Sequence, residues 1–257
     1  MEAGKIKVLW AERPTRKPPW LKVRLPSSQG YFYTKQVARR LTLHTVCEES
    51  LCPNIEECWS AKTCTIMILG DICTRHCAFC AVKTGRPESV DADEPARVAK
   101  AIKELGIKHA VITSVTRDDL PDQGANQFAE TIKHIRMESP STRIEVLTPD
   151  FQGVVELAQI VWKARPDVFA HNVETVPSLQ KKVRHLATWE NSIKILTCAK
   201  NYSNSMKTKS GIQVGHGETM DELVESFQLL ARANIDILTI GQYLRPSMNH
   251  RPVMRYY

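Results

Sequence analysis

No stretch of these 257 residues reaches the roughly 18 consecutive apolar positions that a membrane-spanning helix needs. The opening segment, MEAGKIKVLWAERPTRKPPW, lacks the apolar core of a secretory signal, so export is not expected. No run of five like charges occurs either. The formal net charge of +7 suits a nucleic acid, an acidic protein or an anionic small molecule, but the basic residues are mixed with acids. That mixing fits a generally basic surface and no nucleic-acid patch. Low-complexity tracts and internal sequence repeats are missing as well. What is left, 42% apolar and 25% charged, is the composition of an ordinary globular chain, cytoplasmic by default, with room for one large or two small domains.

From residue 64 a rhythm sets in. Short, β-branched, non-alternating runs at 64–70, 109–114, 143–148, 167–172, 209–214 and 235–240 read as strands buried on both faces. Amphipathic stretches at 94–105, 124–138, 153–164, 177–200 (as two helices) and 219–233 read as helices, with Asp93–Glu94–Pro95 and Thr219–Met220–Asp221–Glu222 as starts. Six βα units imply an α/β fold with a parallel sheet, either doubly wound or partly closed into a barrel. Upstream, residues 1–30 carry Pro14, Pro18, Pro19 and Pro26 and are expected to form an extended arm wrapped on the domain through Trp10 and Trp20. Residues 31–46 are expected to hold a short helix.

A barrel would place its chemistry just after each strand. Small and hydrogen-bonding residues recur there: Asp71; Thr113, Ser114 and Thr116 to Asp119; Thr148–Pro149–Asp150; His171, Asn172 and Glu174; Gly215 to Glu218; Gly241–Gln242. Loops lie on the surface, so some of this polarity is expected of any strand end.

The cysteines say more. Of eight, Cys47, Cys52, Cys58, Cys64, Cys73, Cys77 and Cys80 fall within 34 positions, and only Cys198 lies apart. In a short secreted chain such density means disulfides; in a long chain without a signal it points to metal. Cys73-Thr-Arg-His-Cys77-Ala-Phe-Cys80 is C-x3-C-x2-C, three thiolates that can hold three irons of a cubane and leave the fourth open. An open position suits a reactive site. Ferredoxin-type runs supply four cysteines and zinc sites usually pair two CxxC or Cys/His sets, so both fit poorly. Cys47 through Cys52 to Cys58, C-x4-C-x5-C, is a second set of three. Scattered buried thiols would be its plain alternative.

The C-x3-C-x2-C spacing with Phe79 before the third cysteine resembles the radical S-adenosylmethionine superfamily. The two sets together resemble the lipoyl synthase family, as do GDICTRHCAFCAV (70–82), VTRDDLPDQGANQFAETI (115–132), EVLTPDF (145–151), FAHNVETV (169–176), KTKSGIQVGHGET (207–219) and LTIGQYLRPS (238–247). The resemblance implies a partial TIM-type (βα)6 barrel over 63–257 and an N-terminal arm and auxiliary-cluster segment over 1–62. It implies two 4Fe–4S clusters, one on Cys73, Cys77 and Cys80 and an auxiliary one on Cys47, Cys52 and Cys58, together with S-adenosyl-L-methionine. The implied reaction inserts two sulfur atoms at carbons 6 and 8 of a protein-bound octanoyl chain, with the auxiliary cluster as sulfur donor. The implied partners are an octanoylated carrier domain, of a 2-oxoacid dehydrogenase E2 subunit or the glycine cleavage H protein, and reduced ferredoxin or flavodoxin. Neither nucleic acid nor membrane is expected.

By the same resemblance, Phe79, Thr113, Ser114, Asn172, Glu174, Gly215 and Glu218 are the candidate cofactor contacts, each with a loop hydrogen bond or helix cap as the plainer reading. Arg117, Asp118 and Asp119 would orient substrate or lock their loop by ion pairing. Cys64 and Cys198 read as structural thiols, His171 and His216 as packed or hydrogen-bonded rings. The sequence departs from the family pattern at Ala81, where an acid or amide is common, at Gln123, where glycine is, and at His216, where an apolar residue is. The family's serine-rich segment, whose serine ligates the auxiliary cluster, does not occur before Tyr257. That departure implies a fragment or a paralogue, and with it two alternatives. One is a radical enzyme with another substrate or no thiolation; the other is a chain that only binds metal or a partner.

Overall fold

A computed structural model describes residues 17–257 and lays the expected strands side by side in one sheet. In chain order the elements are α1 (Gln29–Arg40), β1 (His44–Thr45), α2 (Val46–Glu49), α3 (Ile55–Ser60), β2 (Thr65–Ile68), β3 (Ile72–Cys73), β4 (Lys83–Thr84) and α4 (Glu94–Leu105). There follow β5 (His109–Ser114), α5 (Ala125–Glu138), β6 (Arg143–Leu147), α6 (Val155–Lys163), β7 (Val168–Ala170), α7 (Gln180–Val183), α8 (Trp189–Tyr202), β8 (Lys207–Val214), α9 (Met220–Arg232) and β9 (Ile237–Gln242). The sheet order is β1-β2-β5-β6-β7-β8-β9. Every neighbouring pair is parallel except β1 on β2, which is antiparallel. The ends β1 and β9 do not pair, so six βα units make an open, partial barrel.

The strands are apolar because helices cover them. Ile66, Ile68, Ile112, Ile144, Val146 and Phe169 are fully or almost fully buried, packed with Ile102, Phe128, Ile132 and Trp162 from the helices. The N-terminal segment shares that core: Tyr31, Val37, Leu41, Leu43, Cys47 and Trp59 belong to the same cluster. A second cluster of Val173, Trp189, Ile212, Val214, Leu223 and Leu230 lies under α9. Gly30 lets α1 cross α3 closely, since a Cβ there would lie 2.4 Å from the Ser60 carbonyl oxygen.

Several expectations shift in detail. The helix expected in 31–46 starts at Gln29 because the Ser28 hydroxyl accepts from Tyr31 N at 3.1 Å, and it ends at Arg40, leaving room for β1. The strand expected at 235–240 runs from Ile237 to Gln242, because Asp236 turns back to bond the Thr208 amide and hydroxyl. The stretch 177–200 divides into α7 and α8. Cys198 sits inside α8. Trp20 is 66% exposed and is not part of the core among the described residues. The arm is instead anchored where the Ser27 and Ser28 amides donate to the Glu56 carboxylate at 3.2 and 3.1 Å. Trp10 and Pro14 lie outside the described residues. Gln123 adopts φ +49°, followed by Gly124 at φ +85°, which explains why glycine suits position 123.

Candidate functional site

The loop from Cys73 to Cys80 leaves the C-terminal side of β2 through Leu69 and Gly70, both at positive φ. It is closed by a small parallel pair, β3 on β4, which joins Ile72 to Lys83 and Cys73 to Thr84. The loops after the next strands then hold it. Thr74 N donates to the Thr116 carbonyl at 3.0 Å, and Ala78 N to the Val183 carbonyl at 2.9 Å. Two amides, Arg75 N at 3.4 Å and Thr116 N at 3.3 Å, donate to Cys73 Sγ. All three cysteines are free and half-buried.

Arg75 lies inside the motif and is its main fastening. Its guanidinium grips Asp118 with two bonds of 2.7 Å and reaches Asp150 at 2.9 Å, with only 4% of the side chain exposed. Burial works against its charge, but Asp118 and Asp150 more than offset that and hold its pKa above the usual guanidinium value. Arg117 pairs with Asp119 at 2.9 Å through both Nε and Nη2. Of the two readings of residues 117–119, ion pairing that locks the loop is what the geometry displays.

The auxiliary set sits on short elements. Cys47 is on α2, Cys58 on α3 and Cys52 on the turn between, with Cys52 N bonded to the Cys47 carbonyl at 3.1 Å. The Thr65 amide donates to Cys47 Sγ. Burial, and after it the proximity of Cys52, raises the Cys47 pKa; burial, then Cys47 and Cys52, raises that of Cys58. The three thiols therefore lie close enough to sense one another. Cys64, deeply buried just before β2, is pushed up to about 12 and remains a protonated thiol.

The other expected residues divide. Asn172 and Glu174 follow β7. Glu174 takes φ +64°, and its carboxylate accepts from the side chains of Asn172 and Gln213. Burial first, opposed by Arg184, raises its pKa. It is near enough to Cys77 and Cys80 to act on both. Phe79 lies 6.2 Å from the His216 ring. Gly215, at φ +110°, could not carry a Cβ, which would meet Gln242 Nε2 at 2.5 Å and the Arg255 carbonyl at 2.6 Å. Glu218 is committed to its own loop, accepting from Gly215 N at 2.5 Å and His216 N at 2.9 Å. The Thr113 hydroxyl donates to the Leu147 carbonyl at 2.8 Å. Ser114 Oγ, by contrast, is buried without a partner, as are Thr148 Oγ1 and Asp150 Oδ2 after β6. Buried polar atoms are nearly always hydrogen-bonded, so three such atoms at the strand ends mark a place for a polar ligand.

His171 is buried, its Nδ1 donating to the Thr148 carbonyl at 2.8 Å and its Nε2 3.0 Å from Ser192 Oγ. His216 stacks on Tyr243 at 4.3 Å between ring centroids. Burial and the Arg251 charge push its pKa down to about 3. A neutral, stacked ring of this kind can stand where an apolar residue is usual. Sequence reasoning missed Arg75, Arg184, His250 and Arg251. Arg75 had one visible signal, a basic residue between two cysteines.

Comparisons with known proteins bear on this geometry. The profile of the Radical SAM superfamily matches residues 67–230, and that of the N-terminal domain of lipoyl synthase of the Radical SAM family matches residues 3–52. A lipoyl synthase of Rubrobacter xylanophilus is 54% identical over 241 residues, covering 94% of this chain and 75% of that protein. One of Koribacter versatilis is 51% identical over 245 residues, covering 95% and 81%. The chain belongs to the lipoyl synthase family. Among solved structures, methylornithine synthase (PylB) matches with a TM-score of 0.57 at 14% identity, over 85% of this chain and 66% of that one. HydG, a maturase of the [FeFe]-hydrogenase, matches at 0.58 and 14%, over 87% and 56%. At such identity the likeness speaks for the fold alone, and it agrees with the partial barrel.

For a lipoyl synthase family member, the residues present fit an iron–sulfur group and S-adenosylmethionine. Cys73 Sγ already accepts two amide hydrogen bonds, the motif's thiols share one pinned loop, and unpartnered Ser114, Thr148 and Asp150 atoms end the neighbouring strands. Among the described residues no helix is long and apolar enough to cross a membrane.

Proposed function

We infer that this chain carries out the lipoyl synthase reaction, the radical S-adenosylmethionine-dependent insertion of two sulfur atoms into a protein-bound octanoyl chain at carbons 6 and 8. One observation carries the reading: two separate sets of three free cysteines on one partial barrel, one on short helices and the other on a loop fastened at the strand ends. Cys73, Cys77 and Cys80 would hold the radical cluster, and Cys47, Cys52 and Cys58 the auxiliary one. When bound, the first supplies the electron that cleaves S-adenosylmethionine to a 5′-deoxyadenosyl radical, and the second supplies sulfur.

The chain's own residues prepare that chemistry. Arg75 ties the radical loop to the loops after β5 and β6, so the thiols keep one arrangement. Burial raises the pKa of Cys77, against the opposing pull of Arg184, and pushes Cys80 up to about 12. Each Sγ therefore keeps its proton until metal takes its place, and loading releases protons. Glu174 with Asn172 and Gln213 offers a carboxylate and two amides beside the thiols, suited to an amino group or ribose hydroxyls. Phe79 lends an apolar face, Ser114 a free hydroxyl, and the Thr113 hydroxyl braces the end of β5 against β6. The missing Cβ at Gly215 makes room for Gln242 and the Arg255 carbonyl, and Glu218 holds that loop beside the proposed cofactor site.

An octanoylated carrier domain, from an E2 subunit or the H protein, is the proposed substrate. Reduced ferredoxin or flavodoxin is the proposed donor, and the cytoplasm the proposed place. Residues 1–62 act as the auxiliary-cluster element of the barrel. The experiment separates the two sets. Cys77→Ala should abolish 5′-deoxyadenosine formation, whereas Cys52→Ala should keep it and stop thiolation. Equal loss of both products in Cys52→Ala would refute the division of roles.

A further inference from the structure

After β9 the chain turns back across the barrel mouth, and its path is well tied. Tyr243 OH donates to the Arg251 carbonyl at 2.7 Å, Arg245 Nε to the His250 carbonyl at 2.8 Å, and Met254 N to the Gly215 carbonyl at 2.8 Å. The buried Arg251 donates through Nη2 to the His216 carbonyl at 2.6 Å. This returning segment then grips the radical loop at two successive points. Arg251 N donates to the Ala78 carbonyl at 2.9 Å, and His250 Nε2 lies 3.0 Å from the Cys80 carbonyl oxygen.

For a neutral His250 ring the two contacts have one consistent assignment. A carbonyl only accepts, so Nε2 carries the hydrogen and donates to it. Nδ1 of a neutral ring must then accept, and Ser247 Oγ lies 2.8 Å away as the donor. The serine thus selects the tautomer, and the imidazole places a donor on the main chain of a candidate cluster ligand 170 residues earlier. The returning segment does not depend on this bond for its own path, which Tyr243, Arg245, Arg251 and Met254 already fix.

We propose that Ser247 and His250 form a clamp on the Cys77–Cys80 turn, with His250 as a positioning residue that sets the geometry of the radical cluster's third ligand. The proposal rests on the reading of Cys73, Cys77 and Cys80 as cluster ligands. Cys80 would be held so that its thiol faces the same centre as the other two. Loss of the clamp should loosen the turn without removing any ligand.

The test compares His250→Ala, His250→Gln and Ser247→Ala in the anaerobically reconstituted full chain. Three quantities are read: iron content, the electron paramagnetic resonance spectrum of the reduced protein with and without S-adenosylmethionine, and amide hydrogen exchange over residues 77–82. Expected for His250→Ala are wild-type iron content, shifted g-values at the radical site, exchange at least tenfold faster across the turn, and more 5′-deoxyadenosine per thiolated product. His250→Gln, which keeps an N–H donor, should recover most of the spectrum; Ser247→Ala should shift it in the direction of His250→Ala. Wild-type spectra and exchange in both His250→Ala and Ser247→Ala would overturn the proposal. Should His250→Ala not fold, the Ser247→Ala result decides alone, by the same criteria. Cys77→Ala run alongside keeps the two readings apart: an unchanged radical-site spectrum there defeats the ligand assignment itself, while its loss beside a wild-type His250→Ala defeats only the clamp.

Discussion

Replacing Arg75 with alanine removes three charge-assisted hydrogen bonds, two of 2.7 Å to Asp118 and one of 2.9 Å to Asp150. The two acids are left in different circumstances. Asp118 is partly exposed, at 21% of its side chain, and keeps Gln152 Nε2 at 3.0 Å and Thr74 Oγ1 at 3.3 Å. The side chain of Asp150 is fully buried. Its Oδ1 retains the Gln152 amide at 3.1 Å, and its Oδ2 has no partner. Removing one member of a buried ion pair costs about 3–5 kcal/mol because the other charge stays desolvated. The expected loss is therefore about 3 kcal/mol, with the larger share from Asp150. Urea unfolding followed by tryptophan fluorescence measures it, and Asp150→Asn supplies the second edge of a double-mutant cycle. In the Asp150→Asn background the Arg75 substitution should cost about 2 kcal/mol less, since no stranded carboxylate remains. Arg75→Lys should recover little, because an ammonium cannot make the planar two-bond grip on Asp118 while also reaching Asp150. A loss below about 1 kcal/mol, or additive behaviour of the two substitutions, would refute the claim that Arg75 fastens the loop.

Two further outcomes concern pH and capping. Burial, then the Arg184 charge, pushes the His171 pKa down to about 4, so the unfolded chain binds a proton that the folded chain refuses between about pH 6.5 and 4. The stabilisation is complete above about pH 6.5 and is lost at about 1.4 kcal/mol per unit as pH falls through that window; a His171→Gln variant should flatten this slope in urea titrations. At the start of α9 the Thr219 hydroxyl accepts from Glu222 N at 3.2 Å while the Glu222 carboxylate accepts from Thr219 N at 2.8 Å, and Thr219→Ala should cost about 1 kcal/mol by the same measurement.

The strands were legible because a strand covered on both faces leaves a short run of β-branched residues, and 109–114 emerges as β5 unaltered. β1 left no such trace. His44 and Thr45 are a strand only because Met67 and Ile66 stand opposite them, a fact of tertiary pairing. The two cysteine sets stood out because their spacing is local in the sequence. Asp150 stood out only as a strand-end residue and His250 not at all, for they meet the loop from 75 and 170 residues away. Glu218, a ligand contact by resemblance to the family, accepts here from the amides of Gly215 and His216, a fact of the folded loop that the sequence does not display.

The distances along the chain between the cysteine loop and its fastenings set an order of assembly. Asp118, Asp150, Val183 and finally His250 and Arg251 leave the ribosome one after another, long after Cys80. At ~5–20 residues per second, about 10–30 s separate the last thiol from the segment that presses on it. Until then the turn lacks the bonds from Arg251 N to Ala78 and from His250 Nε2 to Cys80. Synthesis of the returning segment thus completes the hold on that turn.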